Sequence, residues 1–207
     1  MYARVLRLKG SAEKIDSGIE NYKSQVAPAL RDQDGYAGAR LLVDRDSGAS
    51  LSITFWKDEE ASRKSFEALT HLRTDAASRF GADTPETKVY EAAVQQRPRP
   101  TEAGNWVRLT TLNGDAAKVD DGIRHFESQV IPEMSKLQGF RGAVLFVDRV
   151  TGDGMAATIW DSKSDLDGSS SPAGPIRSAA SEVMGAKDPR VENFEVAFAE
   201  LLTPVRS

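Results

Sequence analysis

The sequence predicts an α+β protein built from two copies of one β-α-β-β-α-β unit in a single chain. Three observations predict it. The chain matches itself without a gap at an offset of 104 residues. Within each half, apolar residues at helical spacing alternate with short strand-like runs. Between the halves lies Arg97-Pro-Arg-Pro-Thr-Glu-Ala-Gly104, a linker by composition. The expected organisation is a first unit at 1–96, a linker at 97–104 and a second unit at 105–207.

The elements follow in order. A strand is expected at 3–8, then a helix at 12–31 whose apolar face is Ile15, Ile19, Tyr22, Val26 and Leu30. The second half repeats that face as Val119, Ile123, Phe126, Val130 and Met134. Pro28 and Pro132 are expected to kink or end these helices. Strands at 39–44 and 51–56 flank Arg45-Asp-Ser-Gly48, which suits a hairpin with glycine at positive φ. A second helix is expected at 59–80 and a last strand at 88–94. Leu41-Leu-Val43 and Val144-Leu-Phe-Val147 are nearly continuous apolar runs, so both faces of these strands should be covered. Helices cover one face. The other half's sheet is the natural cover for the second, closing the two units into a pseudo-dimer within one chain.

Composition narrows the function. With 31 acidic and 27 basic side chains the net charge is −4, which supplies no general attraction to nucleic acid or an anionic membrane. No apolar run reaches membrane-span length, and the N-terminal residues lack the apolar core of a signal peptide. The absence of cysteine excludes disulfides, thiolate catalysis and cysteine-ligated metals. The two histidines have no metal-ligand spacing, so no metal is expected. A cytoplasmic protein is the expectation.

The halves share Gly-[Tyr/Phe]-x-Gly-Ala at 35–39 and 139–143, Val-Asp-Arg-x-x-Gly at 43–48 and 147–152, and Thr-x-Trp at 54–56 and 158–160. With the β-α-β-β-α-β order, these resemble the antibiotic biosynthesis monooxygenase domain of the dimeric α+β barrel superfamily. The resemblance implies two ferredoxin-like repeats forming an intramolecular dimeric α+β barrel. It also implies a choice among cofactor-independent oxygenases, haem-degrading enzymes and proteins without known activity. The haem-degrading branch carries an asparagine on the first strand, here Ala3 and Val107. It carries a tryptophan and a histidine on the second helix, here Ser65 and Asp75, or Ser169 and Ala179. None matches, so haem degradation is not expected.

Among charged residues, Arg73 falls within roughly 20° of Phe66 on a helical wheel, along the apolar stripe. Arg177 repeats it. An inward arginine needs a partner, either a structural acid or a bound carboxylate, phenolate or enolate. By the same arithmetic His71 lies opposite its apolar face and His125 on a flank. Arg4 and Arg108 sit on the first strands; in the ferredoxin-like order their expected partners are Glu91 and Glu195 across the sheet. Trp56 and Trp160 end the third strands, as packing residues or pocket walls. Asp44-Arg45 and Asp148-Arg149 should serve the hairpins. Finally, Asp165-Leu-Asp-Gly-Ser-Ser-Ser-Pro-Ala-Gly-Pro175 should interrupt the second-half helix, which restarts near Pro175. Such a break could act as a mobile lid.

The resulting expectation is a small-molecule-binding protein, with Trp56, Phe66, Arg73, Trp160 and Arg177 lining the ligand pocket and no cofactor. A cofactor-independent monooxygenase is one form of it. A non-catalytic or stress-associated binding module is the other.

Overall fold

The computed structural model describes residues 1–82 and 85–202; positions 203–207 of the expected second unit lie outside them. The first half runs β1 (Tyr2–Lys9), α1 (Ile15–Asn21), a π turn (Tyr22–Val26), α2 (Ala27–Arg31), β2 (Tyr36–Val43), β3 (Ala49–Trp56), α3 (Glu59–Ala68), α4 (Thr70–Arg79) and β4 (Glu86–Gln96). The second half runs β5 (Trp106–Asn113), α5 (Val119–His125), a π turn (Phe126–Val130), α6 (Ile131–Met134), β6 (Phe140–Val147), β7 (Asp153–Trp160), α7 (Lys163–Gly168), α8 (Ser170–Val183) and β8 (Arg190–Leu201). The protein is α+β. Among the described residues, the strands of the first half and the end of β8 follow the hydrogen-bonded order β1-β3-β2-β8, and those of the second half with the end of β4 follow β5-β7-β6-β4.

The described residues form two compact units, one of Met1–Val89 with residues 195–202 and one of Tyr90–Phe194. In the first, β3 lies between β1 and β2, and the end of β8 pairs with β2, Glu195 opposite Val43. In the second, β7 lies between β5 and β6, and the end of β4 pairs with β6, Glu91 opposite Val147. This register corrects the expected Arg4–Glu91 and Arg108–Glu195 pairs. Each glutamate instead lies beside the arginine of a hairpin. Arg45 Nε donates to Glu195 at 2.8 Å and its Nη1 to Asp16 at 2.7 Å. Arg149 repeats this with Glu91 at 2.5 Å and Asp120 at 2.7 Å.

The hairpins form as their residues dictate. The Asp44 carboxylate accepts the Asp46 N–H, and Gly48 adopts φ 75°. A Cβ on Gly48 would fall 2.5 Å from the Gly10 carbonyl oxygen, so glycine is needed there on two counts. Residues 37–43 of β2 and 142–147 of β6 are buried without interruption, as a strand covered on both faces requires. Ala39, Leu41 and Val43 join the first unit's helix-side core with Ile15, Ile19 and Phe80. Ala143, Leu145 and Val147 do the same in the second with Val119, Phe126 and Leu166. The repeated Gly18 and Gly122 let α1 and α5 approach closely: a Cβ would meet the Phe80 ring at 2.4 Å and the Met184 sulfur at 1.7 Å.

The helices depart from expectation in two places. Neither proline ends its helix. Ala27 N–H bonds the Tyr22 carbonyl and Ile131 N–H the Phe126 carbonyl, each a π step. The α-helix then resumes with proline in its first turn, where the missing N–H is least disruptive. The second departure is the Gly/Ser/Pro segment, which is helical. Helix α8 starts at Ser170 and carries Pro175 inside it, with Leu166 and Ala173 buried. Burial of those apolar side chains outweighs the low helix propensity of their neighbours. Both halves have a break, at Leu69 and at Ser169, the second about one turn earlier in the matched sequence. The expected lid therefore has no break of its own to rest on.

Candidate functional site

Each unit holds a small cavity between its helices and its sheet. In the first unit it measures about 50 Å³, with Arg4, Tyr22, Ser52 and Arg73 among otherwise mainly apolar walls. In the second it measures about 40 Å³, with Arg108, Thr110, Phe126 and Arg177 among its walls.

Strand β1 aims Arg4 inward, where it is 4% exposed. Its Nη1 donates to the Ser62 carbonyl at 2.6 Å and to Ser65 Oγ at 2.8 Å. Its Nε is buried with no hydrogen-bond partner. The guanidinium carbon lies 5.0 Å from the Trp56 ring centroid and 5.3 Å from that of Phe66. Arg73, half-buried on α4, stacks on Phe66 at 3.5 Å, donates to the Phe66 carbonyl, and reaches Thr70 Oγ1 at 3.3 Å. Burial, reinforced by the Arg73 charge, lowers Arg4 to about 10, and burial lowers Arg73. Among the described residues, no carboxylate bonds either guanidinium.

The second unit repeats the arrangement with different satisfaction. Arg108, 3% exposed, donates to Ser169 Oγ, the Leu166 carbonyl and Ser170 Oγ, each at 2.7 Å, and to Asn193 Oδ1 at 3.3 Å. Arg177 has a buried Nη1 without a partner. Burial lowers both; the Arg177 charge lowers Arg108 further, and Asp167 offsets part of this. No carboxylate bonds Arg108 or Arg177 among the described residues.

Of the residues singled out from sequence, Arg73 and Arg177 line these cavities. Trp56 and Trp160 are fully buried, donating Nε1–H to Thr54 at 2.9 Å and Thr158 at 3.1 Å. Phe66 stands between Arg4 and Arg73 and contacts both. His71 is exposed and His125 half-buried, neither in a cavity wall. Among the described residues, no cluster of three His, Asp or Glu side chains could hold a metal ion. Sequence reasoning missed Arg4 and Arg108 as cavity cations, and Ser65 and Ser169 as their partners. The signal was present, since all four are identical across the repeat.

Two guanidinium groups facing one apolar cavity, with an N–H donor left over and no acid bonded to them among the described residues, can offer hydrogen bonds to an anion. A carboxylate, phenolate or enolate would complete the missing pairs and offset the desolvation of buried charge.

No protein-family model matches the chain. The fold is shared with a monooxygenase candidate from Lactobacillus acidophilus NCFM: TM-score 0.71, 11% identity, covering 97% of this chain and 96% of that one. An anthrone oxidase-like protein superposes at TM-score 0.70 with 14% identity, over 98% and 94% of the chains. A ferredoxin-fold protein of Listeria monocytogenes 4b F2365, related to antibiotic biosynthesis monooxygenases, does so at 0.55 with 10% identity, over 94% of each. The chain thus has the antibiotic biosynthesis monooxygenase-like fold. By sequence it is 33% identical over 204 residues to uncharacterized protein Rv2557 of Mycobacterium tuberculosis (strain ATCC 25618 / H37Rv), covering 99% of this chain and 91% of that protein. At that identity and coverage, the chain belongs to the same family as Rv2557.

Proposed function

We propose that this protein binds a small organic anion in its paired-arginine cavities. The observation that carries the reading is the presence in each cavity of two guanidinium groups to which no carboxylate bonds among the described residues. Arg4 with Arg73, and Arg108 with Arg177, supply the charge. Phe66 stacks on Arg73, and Phe66 and Trp56 both lie against Arg4; Trp56, Phe66 and Trp160 stand behind the cavity walls rather than in them. Cavity size bounds the ligand. A cavity of about 150 Å³ encloses benzene, whereas these measure about 50 and 40 Å³. A short carboxylate suits cavities of this size, and an aromatic anion requires α4 or α8 to move outward.

Cofactor-independent oxygenation is the catalytic version of this reading. It is supported by what two fold neighbours are named for and by the cations, which would stabilise a substrate anion as it gives electrons to oxygen. The small cavity volume favours plain binding over oxygenation of a large aromatic.

Calorimetric titration with acetate, then with benzoate, tests the proposal. Binding is expected, and Arg73→Met and Arg177→Met should each remove one site or weaken it more than about tenfold, the scale of a charge-assisted hydrogen bond. Undiminished binding in the double variant would overturn it. Oxygen uptake with phenolic substrates, without added metal or flavin, separates catalysis from binding alone.

A further inference from the structure

A glycine in each unit lets a helix close over the cavity, and the side chain that fills the space against it differs. In the first unit the Phe80 ring lies on Gly18; in the second the Met184 thioether lies on Gly122. Phe80 and Met184 are both buried and both line their cavities, and Leu30 of the first wall is matched by Met134 of the second. We propose that the second-unit cavity takes a carboxylate with an unbranched aliphatic tail, lodged in the space that the Met184 side chain fills, while the first-unit cavity is confined to short carboxylates. The inference rests on the anion-binding reading above and adds to it the ligand class of one cavity.

Helix geometry sets the direction of the tail. Arg177 lies on α8 and Met184 caps its C-terminal end about two turns later, so both line the cavity from one side, about 10 Å apart along the axis. Ala180 stands between them and adds only a methyl to the wall. A carboxylate on Arg177, whose buried Nη1 has no partner, therefore runs its tail past Ala180 toward Met184. The first unit has the same row, Arg73, Ala76 and Phe80, and differs at its far end. That end decides what can yield. Methionine is unbranched, with three rotatable bonds, so Met184 and Met134 can repack around a tail at little cost. The Phe80 ring has a fixed shape and is packed in one core cluster with Ile15 and Ile19, so displacing it overpacks the core. The hydroxyls of the second wall leave the path largely apolar. Ser181 Oγ donates to the Arg177 carbonyl at 2.9 Å, and Thr158 Oγ1 accepts the Trp160 Nε1–H at 3.1 Å. Thr110, in place of Leu6, stands midway between Arg108 and Leu112 on β5 and lowers the gain from a tail without blocking it.

The test titrates the intact chain, labelled with ¹³C at its methionine methyls, with acetate and then with hexanoate. Hexanoate should shift the Met184 methyl signal, identified by its loss in Met184→Leu, and acetate should leave it nearly in place. Calorimetry then compares the two ligands at each cavity, isolated by Arg73→Met for the second and Arg177→Met for the first. At the second cavity hexanoate should bind about tenfold more tightly than acetate, well below the full worth of its four extra methylenes because Met184 must move. At the first the two should bind within about twofold, with no apolar area gained. Met184→Phe in the Arg73→Met protein should abolish the preference, and Phe80→Met in the Arg177→Met protein should create it. The methyl shift is read in the unaltered chain, so it decides even where an exchanged variant fails to fold. Equal hexanoate preferences at the two cavities, or hexanoate binding that leaves the Met184 methyl unmoved, would overturn the inference. Acetate binding with no gain from the tail would overturn this inference alone. Absence of binding by either carboxylate would overturn the anion-site reading and this inference with it.

Discussion

The first and second units place two arginines in the same setting and leave different ones wanting. In the first, Arg73 is held by the Phe66 ring and carbonyl, while Arg4 keeps a buried Nε without an acceptor. In the second, Ser170 stands where Phe66 would be and turns its hydroxyl to Arg108, which gathers four acceptors. Arg177 then has no aromatic platform, and its Nη1 is buried without a partner. One substitution, Phe for Ser across the repeat, moves the unmet donor from the strand arginine to the helix arginine. On the anion-binding reading proposed above, the spare donor lies on Arg4 in one cavity and on Arg177 in the other, with Arg73 and Arg108 as the second cation of each.

This comparison can be broken by mutation. The largest effect is expected from Arg108→Met, which strands four acceptors in a buried site and should destabilise the protein by about 3 kcal/mol. Arg4→Met leaves only two acceptors, should cost about 1 kcal/mol, and should remove first-unit anion binding. Equal losses in chemical denaturation would contradict the unequal satisfaction of the two arginines.

Next comes Phe66→Ser, which removes the stacking surface of Arg73 and should cost about 1 kcal/mol. Its mirror, Ser170→Phe, should tether Arg177 and weaken anion binding in the second unit severalfold. Titrations of both variants sharpen the account if binding and stability move in these opposite ways.

Anion affinity at the first cavity should also depend on pH with a definite sign. The folded-state Arg4 lies near 10, below the ordinary value of a guanidinium, because burial and the Arg73 charge disfavour its cation. The cation is present below that value and is lost as pH rises through it, so affinity should be flat from pH 7 to about 9 and fall above 10. Tyr22, raised to about 12, stays neutral across this window. The same lowered value means the folded state binds that proton less tightly than the unfolded chain, so this group's contribution to stability rises as pH climbs above about 10. A binding curve that falls already between pH 7 and 9 would assign the effect elsewhere.

The smallest effect belongs to the hairpin arginines. Arg45 and Arg149 make matching, largely exposed contacts to Asp16 with Glu195 and to Asp120 with Glu91. Arg45→Met and Arg149→Met should each lower Tm by less than about 3 °C, and by similar amounts.

Much of this was legible in the sequence. Asp44 and Gly48 announced the hairpin because a turn with positive φ has few residues that suit it. Arg73 was placed inward because helical spacing fixes direction once Phe66 and Phe80 mark the apolar face. What could not be read was pairing at long range. Glu91 and Glu195 were assigned to Arg4 and Arg108 because local sequence does not say which second strand a last strand joins. Their true partners, Arg149 and Arg45, follow only from the β4–β6 and β2–β8 registers. The helix through Ser170 and Pro175 was hidden because propensity argued against it while buried Leu166 and Ala173 argued for it. Ser65 and Ser169 carried no motif; only their identity across the repeat, beside that of Arg4 and Arg108, could have flagged them.

The most direct test is ¹⁵N NMR of the arginine side chains during an acetate titration of the intact chain. The account predicts that the Nε–H signals of Arg4 and Arg177 shift and saturate, while that of Arg108, already bonded to Asn193, stays nearly fixed. Shifts confined to exposed arginines such as Arg63 and Arg124, with Arg4 and Arg177 unmoved, would contradict it.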